Sequence, residues 1–348
     1  MGINGVDLKV FAGEFIKRAT KANAVKLDRF EQLAGGAVQE NYAMDVELSG
    51  GVMPGLHQLV LRTDAVASLD ASLSRAAEFE VLSVAWQAGV LVPEPLWLHV
   101  DEGELGGDFY LMRRVAGDAS ARDLVRGDLS GSQREGLLAQ LGETLASLHG
   151  ITPEKKTIGA LPAPELPPAI RRIQEYRCTL DKLRNPHPTL ELALRWLELN
   201  APRKHRVVLT HGDFRTGNYM VEDGQLTGVL DWEFAGWSDP VEDLGWFCAR
   251  CWRFGEWERE AGGIGPLDAL LSAYERKAGW RPDVTQLHYW RVMATVRWAV
   301  IALLQAERHL SGEQPSLELA LTGRMLPEIE LDLLQEILPI AEKEVSNA

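Results

Sequence analysis

Residues 207–240 read VVLTHGDFRTGNYMVEDGQLTGVLDWEFAGWSDP, a stretch that gathers His211, Asp213, Asn218, Asp231 and Glu233 within a pattern otherwise typical of β-structure. VVLT has the apolar, β-branched character of a strand. It runs into the tight loop HGDFRTGN, then YMVE, the dipeptide Asp223-Gly224, and QLTGVLDW. Asp-Gly between two β-type segments predicts a hairpin, because a two-residue connection needs backbone conformations that these residues tolerate. Folding the chain there sets Asn218 nearly opposite Asp231, with Asp213 beside them at the mouth. An amide oxygen and two carboxylates converging, with room for water and phosphate oxygens, suit Mg²⁺.

Working outward, Leu8 to Thr20 carries apolar residues at helical spacing and predicts an opening helix. From about Val25 to Met112 the pattern changes to β-like segments, NYAMDVEL, LHQLVLR and DFYLMRRV. One helix, SLSRAAEFEVLSVAWQAG, is inserted before the last of them. Beyond Gly117 helical patterns dominate, starting from a capping-box spacing at Ser132 and Glu135 and interrupted by the Pro-rich ALPAPELPPA at 160–169.

The motif HGDFRTGN matches H-x-D-x-x-x-x-N, and LDWE follows at the spacing of a metal-binding Asp. With SDPVEDLGW behind them, these residues resemble the aminoglycoside phosphotransferase and choline kinase-like branch of the protein-kinase-like superfamily. The chain has no DFG, and no APE follows LDWE as it would in protein kinases. The matches run in order from about Leu33 to Trp246. The resemblance implies an α+β, two-lobe fold. Residues 1–115 would form a small β-rich nucleotide-binding lobe with one inserted helix, and residues 116–348 a larger, mainly helical lobe, with the hinge near 112–116.

By resemblance, Asp213 accepts the proton of a substrate hydroxyl, Arg215 touches the transferred phosphate, and Asn218 and Asp231 hold Mg²⁺. Gly35 and Gly36 stand where the nucleotide loop is expected. Arg62 replaces the usual phosphate-binding Lys, keeping the charge and offering a fork. Glu78 would be its ion-pair partner, with Glu80 as the alternative one register away. Met112, Arg113 and Val115 would meet the adenine. ATP is the expected donor, GTP not excluded, and Mg²⁺ the cofactor, since phosphoryl transfer rests on positioning and charge neutralisation.

Two other readings of the same residues stay open. One is a metal-dependent phosphoesterase with His211, Asp213 and Asp231 as direct ligands. The other is a non-catalytic pseudokinase that binds nucleotide. His211 reads first as a hydrogen-bonding core residue that shapes the loop, Glu233 equally as a helper of the metal or as a supporting or surface residue, and Asp239 and Asp243 as anchors of the loop and the next helix.

With 46% apolar and 25% charged residues in 348, the chain has the composition of a globular protein large enough for two lobes. A net charge of −14 repels phosphate backbones and anionic lipid, which argues against nucleic acid and membranes as partners. The N-terminus has no apolar core of a signal peptide, Val6 occupies the position a myristoylation motif gives to Ser or Thr, and no run is long enough to span a bilayer. A cytoplasmic location is the expectation. Cys248-x-x-Cys251 lacks a second ligand pair for zinc and reads as core packing or a redox pair. Eight of the eleven tryptophans lie between Trp232 and Trp298, and Trp246, Trp252 and Trp257 are candidates to line a site for a bulky or partly apolar alcohol. The sequence leaves the oligomeric state and the acceptor open.

Overall fold

The computed structural model describes residues 5–33, 39–64, 72–103, 107–183 and 185–338. Helix α1 (Gly5–Thr20) precedes strands β1 (Ala24–Gln32), β2 (Gln39–Ser49) and β3 (Gly55–Asp64). Helix α2 (Arg75–Gln87) comes next, and β4 (Pro95–His99) and β5 (Phe109–Arg113) complete an antiparallel sheet of order β1-β2-β3-β5-β4. The expected β-type segments are β2, β3 and β5, and β1 contains the strand-like stretch expected before Gly35; β4 is an addition, and β1 and β4 are the two edges. Gly35 and Gly36 lie outside the described residues.

The sheet obeys the two-residue period of strands. Leu59 and Leu61 of β3, with Phe109 and Leu111 of β5, face Leu8, Ala12 and Ile16 of α1. Val60, Tyr110 and Met112 point the other way and join Val81, Leu82 and Ala85 of α2 in the core shared with the helical part. Arg62 follows Val60 on that same face, opposite Asn41 of β2 and Tyr110 of β5. A charge is thus carried to the centre of the sheet by the strand's own alternation.

The helical part comprises α3 (Ala121–Arg126), α4 (Gly131–Leu148), α5 (Pro168–Leu180), α6 (Pro188–Leu199), α7 (Pro240–Phe247), α8 (Leu267–Ala278), the long α9 (Val284–Leu310), α10 (Leu317–Gly323) and α11 (Leu326–Ile337). The capping box of α4 is Ser130 with Gln133, two residues before the expected pair. Both serines were available, and only Ser130 reaches a backbone N–H at the N3 position; the Ser132 hydroxyl instead meets that of Ser130 at 3.1 Å.

Between α6 and α7 lie β6 (Val208–Thr210), the hairpin β7 (Tyr219–Glu222) and β8 (Gln225–Val229), and β9 (Gly236–Ser238), which pairs with β6. Asp223 (φ 52°) and Gly224 (φ 79°) both adopt positive φ, the requirement of a type I′ turn that the dipeptide announces. Asp118 bridges to Val221, and the Thr227 hydroxyl donates to the Ala116 carbonyl at 2.6 Å, so the segment leaving β5 rests on the hairpin. Among the described residues no helix is long and apolar enough to cross a membrane.

Candidate active site

The loop after β6 is held from behind by Asp243 of the helical part. The Asp243 carboxylate, in α7, accepts the backbone N–H groups of His211 (2.7 Å) and Gly212 (2.9 Å). Burial opposes its charge, but the His149 side chain at 3.1 Å and these N–H groups hold its pKa below the ordinary value. Asp239 accepts the Val241 N–H and caps α7. Gly212 has φ +75°, and a Cβ there would collide with the Phe234 carbonyl oxygen, so the turn between His211 and Asp213 requires glycine.

His211 is fully buried, and both its ring nitrogens are engaged. Nε2 donates to the Leu230 carbonyl at 2.8 Å, which leaves Nδ1 to accept the Asp213 N–H at 3.2 Å. It therefore ties the loop to the end of the hairpin and has no lone pair left for a metal. The three-ligand reading with His211 does not fit this geometry.

Asp213 receives three side-chain donors. Trp246 Nε1 bonds Oδ1 at 2.7 Å, Asn218 Nδ2 bonds Oδ2 at 2.7 Å, and Arg215 Nε approaches Oδ2 at 3.3 Å. Asn218 also accepts the Leu230 N–H on its backbone carbonyl, which closes the hairpin mouth. Because its amide nitrogen is committed to Asp213, its amide oxygen is turned away from that carboxylate.

Asp231 stands where the hairpin ends, in the left-handed region (φ 69°, ψ 62°). Its Oδ1 accepts Arg62 Nη2 at 2.6 Å. Burial raises its pKa, but Arg62 outweighs this and the carboxyl is held below its usual range. Arg62, 5% exposed, also pairs with Glu78 through Nε (3.1 Å) and Nη2 (3.0 Å). Arg75 completes the group by bonding Glu78 and Asp64. Of the two candidate partners for Arg62 the structure selects Glu78; Glu80 instead accepts the N–H groups of Gly159 (2.7 Å) and Ala160 (3.1 Å). Glu233 is buried, and desolvation, together with the Asp231 charge, pushes its pKa to about 7.

The structure thus brings Asp213, Arg215, Asn218, Asp231, Arg62 and Glu78 into one connected group. Met112, Arg113 and Val115 lie at the end of β5, apart from these contacts: Met112 is buried, Arg113 pairs with Glu94, and a Cβ on Gly228 of the hairpin would sit 3.3 Å from the Val115 side chain. Of the three tryptophans proposed for an acceptor pocket, Trp246 is buried behind Asp213, Trp252 lies 4.5 Å under the Arg215 guanidinium, and Trp257 is exposed. The roles of Trp246 and Arg75 were not read from the sequence. Only the proximity of Trp246 to the acidic SDPVED segment hinted at the former.

The oxygen donors fit a small hard cation. Asp231 is 35% exposed at its side chain, with Oδ2 beside the Arg62-bound Oδ1, and the Asn218 amide oxygen is near the same hairpin mouth. Among the described residues no three His, Cys, Asp or Glu side chains cluster as a metal site. A cation held by one carboxylate and one amide keeps most of its shell for water and phosphate, as Mg²⁺ does. Cys248 and Cys251 are free thiols, and burial pushes that of Cys248 up to about 12, so neither is poised as a nucleophile.

Residues 29–282 match the model of the phosphotransferase enzyme family. The chain is 25% identical over 283 residues to acyl-CoA dehydrogenase family member 10 of Mus musculus, covering 77% of this chain and 26% of that protein. It is likewise 25% identical over 291 residues to acyl-CoA dehydrogenase family member 11 of Pongo abelii, covering 80% and 35%. It therefore spans about a quarter to a third of these relatives. Among solved structures, a Ralstonia eutropha protein assigned as an aminoglycoside phosphotransferase superposes with a TM-score of 0.75 at 20% identity, covering 94% of this chain and 98% of that one. A thermostable mutant of the aminoglycoside phosphotransferase APH(4)-Ia, crystallised with ADP and hygromycin B, gives a TM-score of 0.59 at 16% identity over 92% and 97% of the chains. These likenesses give the chain a kinase-like fold.

Proposed function

The chain belongs to the phosphotransferase enzyme family, and from that premise we propose that it moves the γ-phosphoryl group of ATP to a hydroxyl of a small molecule. The observation that carries this reading is the junction at Asp231, where one carboxylate meets Arg62 of the sheet (2.6 Å) and closes the hairpin that also bears Asn218. A sheet-borne cation and a hairpin-borne anion in contact make a seat for phosphate oxygens and their counter-ion. ADP in the APH(4)-Ia complex supports nucleotide use.

Asp213, oriented by Trp246 and Asn218, accepts the proton of the acceptor hydroxyl. The new O–P bond forms as the bond from the γ-phosphorus to the bridging oxygen breaks, and ADP leaves with that electron pair. Arg215, beside Asp213, neutralises the group in transit, and Arg62, steadied by Glu78, does the same for the remaining phosphates. Mg²⁺, held by Asn218 and Asp231, would supply charge neutralisation across the phosphates. Gly35 and Gly36 complete the nucleotide seat in this proposal, with Met112, Arg113 and Val115 against the base. The lobes divide at 115/116.

The acceptor class has one pointer. The curated relatives are named as acyl-CoA dehydrogenase family members, and this chain matches only part of each. A hydroxylated acyl-CoA is accordingly the first acceptor to offer.

Calorimetry tests the nucleotide site without knowledge of the acceptor. ATP binds wild type more tightly with Mg²⁺ than without it, and Asp231→Ala abolishes that difference while binding ATP alone. No ATP or GTP binding to folded protein under either condition would falsify the phosphotransferase reading. Asp213→Asn keeps ATP affinity and loses turnover; normal turnover in that variant removes Asp213 from the chemistry.

A further inference from the structure

Arg297, in α9, is a second guanidinium at the catalytic loop. Its Nη1 donates to the carbonyl of Gly212, and its guanidinium carbon lies 4.2 Å from the centre of the Trp246 ring, the same indole that holds Asp213. It is only partly buried, and among the described residues it forms no ion pair. A guanidinium that is partly out of water and has no acid beside it is costly, and such a group is a ready partner for an incoming anion.

The neighbouring charges do not cancel it. Arg215 is bonded to Asp213 and stacked on Trp252. Across from Arg297, α5 presents Arg171 and Arg172, balanced by Glu175 and Glu242: Arg172 bonds Glu242 at 2.7 Å and Glu175 at 2.9 Å. Tyr176 of α5 feels both sets, since burial pushes its phenol up to about 12 against the pull of Arg297 and Arg172. Of the two arginines at this loop, Arg215 bonds the Asp213 carboxylate, whereas Arg297 bonds the Gly212 carbonyl one residue before it. Arg297 is thus a guanidinium with no salt-bridge partner among the described residues, bonded to the loop where the acceptor hydroxyl would arrive in the proposed reaction.

We infer that Arg297 anchors the acceptor through an oxyanion, a carboxylate or a phosphate, borne by the same molecule whose hydroxyl Asp213 activates. The inference rests on the phosphotransferase reading and narrows it to hydroxylated anions. A polyamine would bring ammonium groups against two guanidiniums. A neutral polyol would leave Arg297 without the partner its surroundings omit. The planar fork over Trp246 suits a two-oxygen group.

The test is calorimetry on protein loaded with Mg-ADP, using four probes: hydroxybutyrate for a carboxylate, glycerol phosphate for a phosphate, butanediol as the neutral control and kanamycin as the polycation. At least one of the anions binds, and Arg297→Gln weakens it about tenfold or more while Mg-ADP affinity is kept. Which anion binds distinguishes the two sources. The inference is overturned if neither anion binds protein that holds Mg-ADP, if Arg297→Gln binds the anion as well as wild type, or if kanamycin or butanediol binds more tightly than both. Should Arg297→Gln lose Mg-ADP, competition decides: sulfate must displace the anion from wild type, and failure to displace it overturns the assignment. Loss of Mg-ADP binding by wild type itself strikes the parent reading instead.

Discussion

Trp246→Phe isolates one bond to Asp213, the carboxylate proposed to accept the hydroxyl proton. Oδ1 of Asp213 accepts the indole at 2.7 Å, whereas Oδ2 has both Asn218 (2.7 Å) and Arg215 (3.3 Å). Removing the indole N–H leaves Oδ1 without its holding partner and frees the carboxylate to turn about its remaining two contacts. Phenylalanine keeps an aromatic face under Arg297 and most of the packing against Trp252, whose ring lies 5.2 Å from that of Trp246. A hydrogen bond to a charged group contributes about 1.5–3 kcal/mol, so complete loss of its positioning effect lowers kcat about 10- to 100-fold. One effect acts in the opposite direction: the carboxylate loses charge as it takes the proton, so deleting a donor makes it a stronger base. The expected fall therefore lies toward the smaller end of that range. The assay is ADP release under saturating ATP, paired with calorimetric ATP affinity in the same preparation. A drop in kcat with ATP affinity unchanged supports the role. A kcat within about twofold of wild type would show Trp246 to be packing alone, since a bond of this class is worth more than that.

Arg62→Ala removes one of the two guanidiniums on Glu78, a residue 1% exposed, and leaves Arg75 as its counter-charge, so the cost falls below the about 3–5 kcal/mol of a buried charge left wholly unpaired; a lowered melting temperature without Mg-ATP checks it, and unchanged stability refutes the account. Arg62→Lys keeps the charge but cannot span Glu78 and Asp231 as the fork does, so it retains more stability than Arg62→Ala and weakens ATP binding. Asp239 gives a pH signature: burial raises its folded pKa to about 6 from 3.8, so this group favours the folded state most below pH 3.8, and that advantage is lost as pH rises toward 6. Asp239→Asn keeps a cap oxygen and removes the charge, so its melting temperature gains on wild type across that window and holds the gain above it. A constant difference from pH 4 to 7 would remove Asp239 as the cause.

Local chemistry decided which parts of this molecule could be read from sequence. Asp223-Gly224 announced its hairpin because few residues accept positive φ twice in succession, and α2 announced itself through apolar residues every three to four positions. Strand β4 stayed silent because it is a five-residue edge opened by a proline, PLWLH, too short for an alternation of period two to stand out. The same division holds in the site. Asp213, Asn218 and Asp231 are joined by a loop and a hairpin, so their meeting follows from short-range turns. The bonds of Trp246 to Asp213 and of Arg62 to Asp231 close over 33 and 169 residues and depend on how α7 and the sheet pack. Arg297 reaches Gly212 from α9 across 85 residues, and no spacing rule points to it.

Arginine at position 62 changes how the resting site is held. A single ammonium is a point charge, whereas this guanidinium turns Nε and Nη2 to Glu78 while Nη2 also holds Asp231, with Nη1 3.5 Å from Asn41. The pair with Glu78 can persist through Nε if Nη2 leaves Asp231. In the proposed reaction an arriving cation would compete with Arg62 for that carboxylate, and the guanidinium edge so released would face the phosphate oxygens. Each exchange would compensate the other: Asp231 would trade one cation for another, and Arg62 a carboxylate for a phosphate. Metal and nucleotide binding should therefore be strongly coupled through this one contact. Asp231→Ala breaks the coupling from the acid side and Arg62→Lys loosens it from the basic side, so the Mg²⁺ dependence of ATP affinity must shrink in both variants. A Mg²⁺ dependence intact in Arg62→Lys but lost in Asp231→Ala would assign the metal to the carboxylate alone and deny the guanidinium any part in the exchange.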